Sequence, residues 1–527
     1  MIHTSPKDPA KPSRESLTKS VKLALMVSAI GLAASCTYVP YDTNRSYSAA
    51  TDVPAKGSIA TTVNEITRAN GGRSTFIPLV SGTDALSARL RLIEQAERTL
   101  DIQYFLIKPD LAGGLFSRAL IQAAERGVRV RFLLDDVFTT ATDRQIALLN
   151  SHENIEIRLF NPLSRGSTKA MNFFLDFNRV NRRMHNKSLT VDNSATIFGG
   201  RNIADEYFQI NTQAEFADLD FFAAGPVAKD IAASFDMFWN DSRAVSMSGI
   251  VKDAPDVDFS AARRELEIRA EEAAKDVYST ASTSLFLQSI RNGDIPTTHG
   301  HARVVSDRPI KLKMAPNDGP QDLADALKKA MWNVERDFIL MTPYFVPRPD
   351  DVAMLKQIRA RGKRVRILTN SLASTNHATV HGGYAPARKE LLRAGVELYE
   401  IRADALQAVG ELPKDSDIVL TLHTKAAVFD GEQMFVGSLN YDPRSIEINT
   451  ELGVFMDAPE LAANFKTGVE NYIRQHAYRL SLDENGEIIW TFEAGNVKEI
   501  RRNDPGATFG KRLVSGITRI LPFKGQL

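Results

Sequence analysis

The chain has 527 residues, 43% hydrophobic and 24% charged, a globular composition at a length that supports two core-forming units or more. Lysine and arginine number 65 against 64 acids, a net charge of +1, which argues against an overall basic coat for nucleic acid and leaves open only a local basic groove. With Cys36 as the single cysteine, no intrachain disulfide can form.

The N-terminus carries Lys7, Lys11, Arg14, Lys19 and Lys22, then the apolar run LALMVSAIGLAAS, then Cys36. This is the order of a secretion signal, and the run is too short to span a bilayer comfortably. Ala33-Ala34-Ser35 before Cys36 resembles a bacterial lipobox, with the usual leucine one place further back at Leu32. Residues 1–36 are therefore expected to be a signal with Cys36 lipidated as the mature N-terminus; a cleaved signal or a buried thiol are the plainer readings. This implies a lipid-anchored protein of the bacterial cell envelope, on the periplasmic face of the inner or outer membrane. Residues 37–73 are polar and rich in Pro, Ser and Thr, and read as a flexible tether.

A globular pattern starts at Ser74 and is built twice. In residues 74–240, ALSARLRLIEQAERTLDIQYFLI and LFSRALIQAAERGVRVRFLLDD each give a helical spacing followed by a β-rich run. In residues 308–527, LADALKKAMWNVERDFILMTPYFV and VAMLKQIRARGKRVRILTNS repeat that order, and RGVRVRFL (126–133) nearly matches RGKRVRIL (361–368). Helix–strand alternation predicts an α/β fold with a largely parallel sheet in each half. Residues 241–307, with the charged helical stretch AARRELEIRAEEAAKDVYS, read as the connection between repeats.

One polar motif also occurs in both halves. His185-x-Lys187 is followed after four residues by Asp192, and after six more by Gly199-Gly200-x-Asn202. His423-x-Lys425, Asp430 and Gly437-Ser438-x-Asn440 repeat it with every gap identical. In a strand, residues two apart share a face, so each His and Lys point together. One H-x-K is weak evidence; two copies at identical spacing are strong. Two histidines with two lysines suit a phosphodiester, because lysine and asparagine donate to non-bridging oxygens while one histidine attacks phosphorus and the other protonates the leaving oxygen. The cations are built in, so neither metal nor cofactor is expected.

These paired H-x-K-x4-D-x6-G-(G/S)-x-N motifs resemble the phospholipase D superfamily from about Ser74 to the C-terminus. The resemblance implies two pseudo-symmetric α/β/α sandwich halves forming one active-site cleft, and a covalent phosphohistidine. It implies His185 as nucleophile and His423 as general acid/base, an order that symmetry leaves reversible. The catalytic candidates are thus His185, Lys187, Asp192, His423, Lys425 and Asp430, with Asp192 and Asp430 pointed by the family pattern toward a structural role. Gly200, Asn202, Ser438 and Asn440 are the candidates for holding phosphate. A carboxylate behind each histidine is implied too: Glu451, 28 residues after His423, and Asp218 in the corresponding line of the first half, with Glu206 and Glu215 less well aligned.

TPYFVP (342–347), TNSLASTNHATVHGGYAPARKELLRAGVELYE (369–400) and GSLNYDPRSIEINTE (437–451) resemble the cardiolipin synthase branch, nearest its C type. Much of the long string is expected to be fold, with its polar loop of Ser371, Thr375, His381, Tyr384 and Arg388 a candidate to line the cleft and hold a head group. His377 and His381 have chelating spacing but no completing ligand set, so no metal is expected there. In the tail, Phe509, Leu513, Val514, Ile517, Ile520 and Leu521 share a helical face, with Lys511, Arg512 and Arg519 off it. It either rests on an anionic membrane or packs on its own domain. The expected activity is phosphatidyl transfer between phospholipids (phosphatidylglycerol or phosphatidylethanolamine) to give cardiolipin at a membrane surface, with no nucleic acid and any accessory protein unidentified. Hydrolysis by a phospholipase or nuclease, and a non-catalytic envelope lipoprotein, are the rivals.

Overall fold

Two copies of one strand order face each other in the structure, a computed structural model that describes residues 39, 46–53, 56–210, 214–251, 260, 263–264, 267–268, 297–316 and 318–520. Cys36 and most of the charged stretch AARRELEIRAEEAAKDVYS lie outside the described residues. The first half contributes β1 (Ser74–Leu79), β2 (Thr99–Tyr104), β3 (Arg129–Asp135), β4 (Ile155–Phe160), β5 (Ser188–Val191), β6 (Ala195–Gly199), β7 (Ala214–Ala217), β8 (Asp220–Ala224) and β9 (Ala244–Ser246). After β10 (Thr298–Ser306), the second half contributes β11 (Asp337–Met341), β12 (Arg364–Asn370), β13 (Glu397–Ile401), β14 (Val419–Leu422), β15 (Ala426–Phe429), β16 (Gln433–Gly437), β17 (Leu452–Asp457), β18 (Ala477–Leu482), β19 (Ile488–Ala494) and β20 (Val497–Arg501).

The first sheet runs β1–β8–β6–β5–β2–β3–β4–β9, with β2, β3 and β4 parallel and the rest antiparallel. The second runs β10–β17–β16–β15–β11–β12–β13–β18–β19–β20, again with a parallel centre, β11, β12 and β13. β10 belongs to both sheets: Thr298–Gly300 pair with β1 and His301–Ser306 with β17. The expected linker 241–307 therefore differs at both ends, because Ala244–Ser246 complete the first sheet and β10 joins the two.

Each parallel crossover is set locally. Asp110 caps the helix Leu111–Glu125, its carboxylate accepting from Gly113 N at 3.0 Å, and Gly127 at φ 89 turns the chain into β3. Separate cores fill the halves, around Ile102, Phe116 and Leu134 in one and Leu340, Leu355 and Ile367 in the other. A third core joins them: Phe76, Phe198 and Phe221 pack with Val428, Met434 and Val454. Burying one apolar face of each sheet against the other fixes how the two motifs meet.

The tether 37–73 needs correction where it is described. Ser48 O accepts from Arg131 at 2.9 Å, Ser46 O from Arg158 at 2.8 Å, and Trp239 Nε1 donates to Ser48 Oγ at 3.0 Å. Residues 58–69 form a helix, Ser58–Ala69, that sends Val63 into the first core. The buried guanidiniums of Arg131 and Arg158 extend their hydrogen bonding to backbone carbonyls of this polar segment, so low hydrophobicity does not leave it loose.

Candidate active site

Neither motif histidine lies within a long strand; each sits in extended chain just ahead of β5 or β15. The segment before His185 pairs with the other half: Thr450 N donates to Arg183 O at 3.0 Å and His185 N to Thr450 O at 2.9 Å. The mirror arrangement pairs β14 with β7 in parallel, and His423 N donates to Ala217 O at 2.8 Å. Each histidine is thereby laid beside the acid of the opposite half.

Glu451 accordingly serves His185, with His185 Nδ1 2.9 Å from Glu451 Oε2, and Asp218 serves His423, with His423 Nδ1 2.6 Å from Asp218 Oδ2. A carboxylate accepting from Nδ1–H leaves the Nε2 lone pair for chemistry. Glu206 and Glu215 are engaged elsewhere, by Lys108 and by Gln209 at 2.6 Å respectively. Rings fix the histidines further. Phe216 stacks on His423 at 5.4 Å and 11°, Tyr207 meets its edge at 5.2 Å, and Phe105 meets His185 at 4.7 Å.

Both lysines are buried and donate to the carbonyl of their own histidine: Lys187 Nζ to His185 O at 2.7 Å and Lys425 Nζ to His423 O at 2.5 Å. Burial, with Lys425 adding repulsion against the pull of Glu451, brings Lys187 down to about 7, and burial brings Lys425 down to about 8 against the pull of Asp218. Burial and then Lys425 hold His423 down at about 4. Burial, Lys187, Lys425 and Arg444 depress His185 well below its ordinary value. Glu451 is pushed up to about 7 by burial, against the pull of Lys187. Burial works to raise Asp218 as well, but His423, Lys425 and Arg201 overcome it and the group stays below its usual value. Two lysines and two histidines held below their ordinary values mark cationic groups crowded together out of water, which is the setting a phosphate group would relieve.

Other expected site residues are placed differently. Asp192 accepts from the backbone N–H groups of Glu97, Arg98 and Thr99 at 2.8–3.0 Å, and Asp430 from those of Glu335, Arg336 and Asp337 at 2.6–3.0 Å. Both sit at φ near 50–55° in the hairpin turns β5–β6 and β15–β16, at the strand ends away from the histidines. Although the motif places them among the catalytic candidates, they clamp the chain entering β2 and β11, the structural role to which the family pattern pointed. Gly200 and Ser438, by contrast, are corrected. A Cβ at Gly200 would lie 2.2 Å from Asp218 Oδ1, and Ser438 Oγ donates to the Glu451 carboxylate while accepting Leu452 N at 3.0 Å. Both positions back the orienting acids, so their polar capacity is spent there. Asn202 Nδ2 donates to Tyr207 OH at 3.0 Å, and the amide oxygens of Asn202 and Asn440 are buried with no partner among the described residues.

His381, Tyr384 and Arg388 are buried in the second core rather than lining the cleft, because Arg388 bridges Glu400 at 3.1 Å and Asp504 at 2.9 Å. His381, Glu400 and Asp504 bring potential ligand atoms within 4.8 Å of one another, but that guanidinium already supplies the cation. Tyr344, Asn376 and His377 form a polar group instead: Tyr344 OH donates to Asn376 Oδ1 at 2.8 Å and its ring meets His377 at 5.4 Å.

Two sets of residues were not singled out from the sequence. Asp135, at the end of β3, accepts Met184 N at 3.0 Å, and Asn370, at the end of β12, accepts Leu422 N at 2.8 Å. Each anchors the residue before a motif histidine. The signal was present, since aligning RVRFLLD with RVRILTN sets Asp135 against Asn370. Arg444 opens a π-helical turn, Arg444–Ile448, and donates to Asn181 Oδ1 at 2.6 Å. Its charge reaches both His185 and His377.

Comparison with known proteins agrees in extent with this duplicated architecture. A family model described as "Cardiolipin synthase, PLD-like domain" matches residues 90–239 and again 323–473. "Cardiolipin synthase C" of Escherichia coli (strain K12) is 37% identical over 476 residues, 89% of this chain and 99% of that protein. An uncharacterized protein of Helicobacter pylori (strain J99) is 32% identical over 464 residues, 86% of this chain and 89% of that one. Among solved structures, phosphatidylserine synthase of Haemophilus influenzae Rd KW20 superposes with a TM-score of 0.54 at 13% identity, covering 88% of this chain and 100% of that one. At that identity the likeness is one of fold.

Proposed function

Since the chain belongs to the cardiolipin synthase family of phospholipase D-like proteins, we propose that it is a phosphatidyltransferase that makes cardiolipin through a phosphohistidine. The observation that carries the mechanism is the crossed pair, His185 with Glu451 and His423 with Asp218. His185 Nε2 attacks the phosphorus of a donor phospholipid, and the P–N bond forms as the P–O bond to the head-group alcohol breaks. His423, protonated at Nε2 once the bound phosphodiester offsets the charge of Lys425 and Lys187, gives that proton to the leaving oxygen. It then takes the proton of an incoming hydroxyl, such as that of phosphatidylglycerol, whose oxygen displaces His185 Nε2 from phosphorus. Glu451 offsets the charge on the phosphorylated ring, and Lys187 and Lys425 face the non-bridging oxygens.

The test is mass-spectrometric product analysis with defined donors and acceptors. Cardiolipin should form from phosphatidylglycerol, alone or with phosphatidylethanolamine, in excess over phosphatidic acid. Phosphatidic acid alone would make the protein a hydrolase, and cleavage of single-stranded DNA without lipid turnover would make it a nuclease. We also propose that Cys36, placed directly after the apolar run LALMVSAIGLAAS and Ala33-Ala34-Ser35, anchors the protein at the cell envelope. A mature N-terminus lacking lipid on Cys36 would overturn that.

The lysines predict a pH effect of definite sign. Below about 7 both are ammonium ions in the free protein, and above about 8 both are neutral. A phosphodiester favours their charged forms, so binding takes up protons as pH rises. KM for the donor should climb between pH 7 and 9, by up to about tenfold per pH unit for each lysine that must be recharged. Lys425→Arg keeps its charge throughout this range and should flatten the rise; equal slopes in both proteins would remove Lys425 from phosphate binding.

A further inference from the structure

The helix Phe509–Ile520 packs against the helix Ala378–Tyr384 with its polar side inward. Ser515 is 0% exposed and Thr518 is buried, and a Cβ at Gly382 would lie 2.7 Å from Ser515 O. Its apolar side faces outward, with Phe509 at 80% exposure and Leu513, Val514 and Ile517 all exposed. This is the reverse of a helix folded onto its own domain for solvent. Its charged residues are Lys511, Arg512 and Arg519, with no acid between Phe509 and Ile520. Lys511 and Arg512 meet only backbone carbonyls among the described residues: Ala373 O at 2.6 Å and Thr375 O at 2.8 Å for one, Asp504 O at 2.6 Å and Ala507 O at 3.2 Å for the other.

A second apolar outcrop stands on the other half. Phe174 is 82% exposed, and Met171, Phe177 and Phe138 are exposed beside it in sequence or space. It is continuous with the catalytic centre: Phe138 meets Phe105 at 5.4 Å, and Phe105 meets His185 at 4.7 Å. A run of contacts leads from one outcrop toward the other through Arg444, whose charge reaches His377. Arg444 holds Asn181, which ends the helix Phe177–Val180. Lys511 holds Thr375, which leads into Asn376 and His377 beside Tyr344.

We propose that these two outcrops form a bilayer-docking surface, the face of Phe509, Leu513 and Ile517 and the tip at Phe174 entering an anionic membrane so that the cleft opens onto its head groups. Outward apolar residues flanked by Lys511 and Arg512, which meet no side-chain acid among the described residues, fit acyl chains under anionic phosphates better than they fit water. The docking surface rests on the lipid-substrate reading above and adds how a lipid reaches the site.

The experiment uses the full chain carrying Cys36→Ser in every arm, so that no N-terminal lipid masks the effect. Binding to vesicles of equal phosphatidylglycerol and phosphatidylethanolamine, and to phosphatidylcholine vesicles, is measured by flotation for this protein, for Leu513→Ser/Ile517→Ser and for Phe174→Ser. Turnover is followed on the vesicles and on short-chain phosphatidylglycerol kept monomeric. The unaltered surface should bind the anionic vesicles at least about tenfold more tightly than phosphatidylcholine. Both variants should lose about tenfold in binding and in vesicle turnover, yet stay within about twofold on the monomeric lipid, where folding alone decides. Undiminished vesicle binding would overturn the proposal, as would equal loss on monomeric lipid. So would a dimer, seen by sedimentation without lipid, that the same substitutions dissociate. Absence of cardiolipin in any arm would strike the transferase reading, while flotation would still decide the docking surface.

Discussion

Alanine at either motif histidine should stop phospholipid turnover, and the two variants should fail at different steps. His185→Ala removes the atom that bonds phosphorus, with a loss expected at about 10⁴-fold or more and no covalent adduct. His423→Ala keeps the nucleophile with its Glu451 partner at 2.9 Å but has no proton for the departing alkoxide, a contribution of about 10²–10⁴-fold. A phosphodiester with a nitrophenol leaving group needs no such proton. On that substrate His423→Ala should release a stoichiometric burst and then stall, because no base activates the acceptor. The trapped species should be an acid-labile phosphoryl group on His185, located by peptide mass spectrometry. An adduct on His423 in the His185→Ala protein would reverse the roles. Substantial phospholipid turnover by a clean His423→Ala protein would end its assignment as acid and base.

Much of this site can be read along the chain because duplication makes chance improbable. His185-x-Lys187 is unremarkable alone, and its twin at His423 with identical gaps converts it into half of a site. The α/β order is equally plain, since each helix-to-strand passage carries its own apolar period, and those into β3 and β12 add a turn glycine, Gly127 and Gly362. What the chain order hides is which half serves which. Glu451 is 28 residues from His423 and 266 from His185 in sequence, yet it binds His185, because the pairing of Thr450 with Arg183 and His185 is a tertiary event with no local signature. Ser438 misleads for a related reason. A serine after glycine in a phosphate-suited motif suggests a donor for the ligand, but its hydroxyl is consumed by Glu451, and that partner is defined only once the hairpin β15–β16 lies beside β17. The polar segment around Ser46 and Ser48 is ordered by Arg131 and Arg158, more than 80 residues away, so composition there describes solubility and not freedom.

Because the carboxylates cross between halves, Asp218→Asn should behave like a second-half lesion and Glu451→Gln like a first-half one. An amide in place of the acceptor carboxylate lets the ring adopt the wrong tautomer and leaves the imidazolium without its counter-charge, at a cost of about 10³–10⁴-fold in kcat with KM little changed. Asp218→Asn deprives His423, 2.6 Å away, so its loss should largely vanish in the burst on the nitrophenyl substrate, as for His423→Ala. Glu451→Gln deprives His185, so its loss should persist there and the phosphoryl adduct should form slowly. The two should also differ in pH dependence. Asp218 is held below its usual value and stays ionised throughout the neutral range, whereas Glu451 sits at about 7. In the free protein Glu451 is largely neutral below that pH, where glutamine resembles it, so the defect of Glu451→Gln should shrink as pH falls and that of Asp218→Asn should not. Rescue of Glu451→Gln by the activated leaving group, with no rescue of Asp218→Asn, would place each acid with the histidine of its own half. The crossed arrangement forbids that outcome, and it makes each half's chemistry depend on a carboxylate that only the other half can supply.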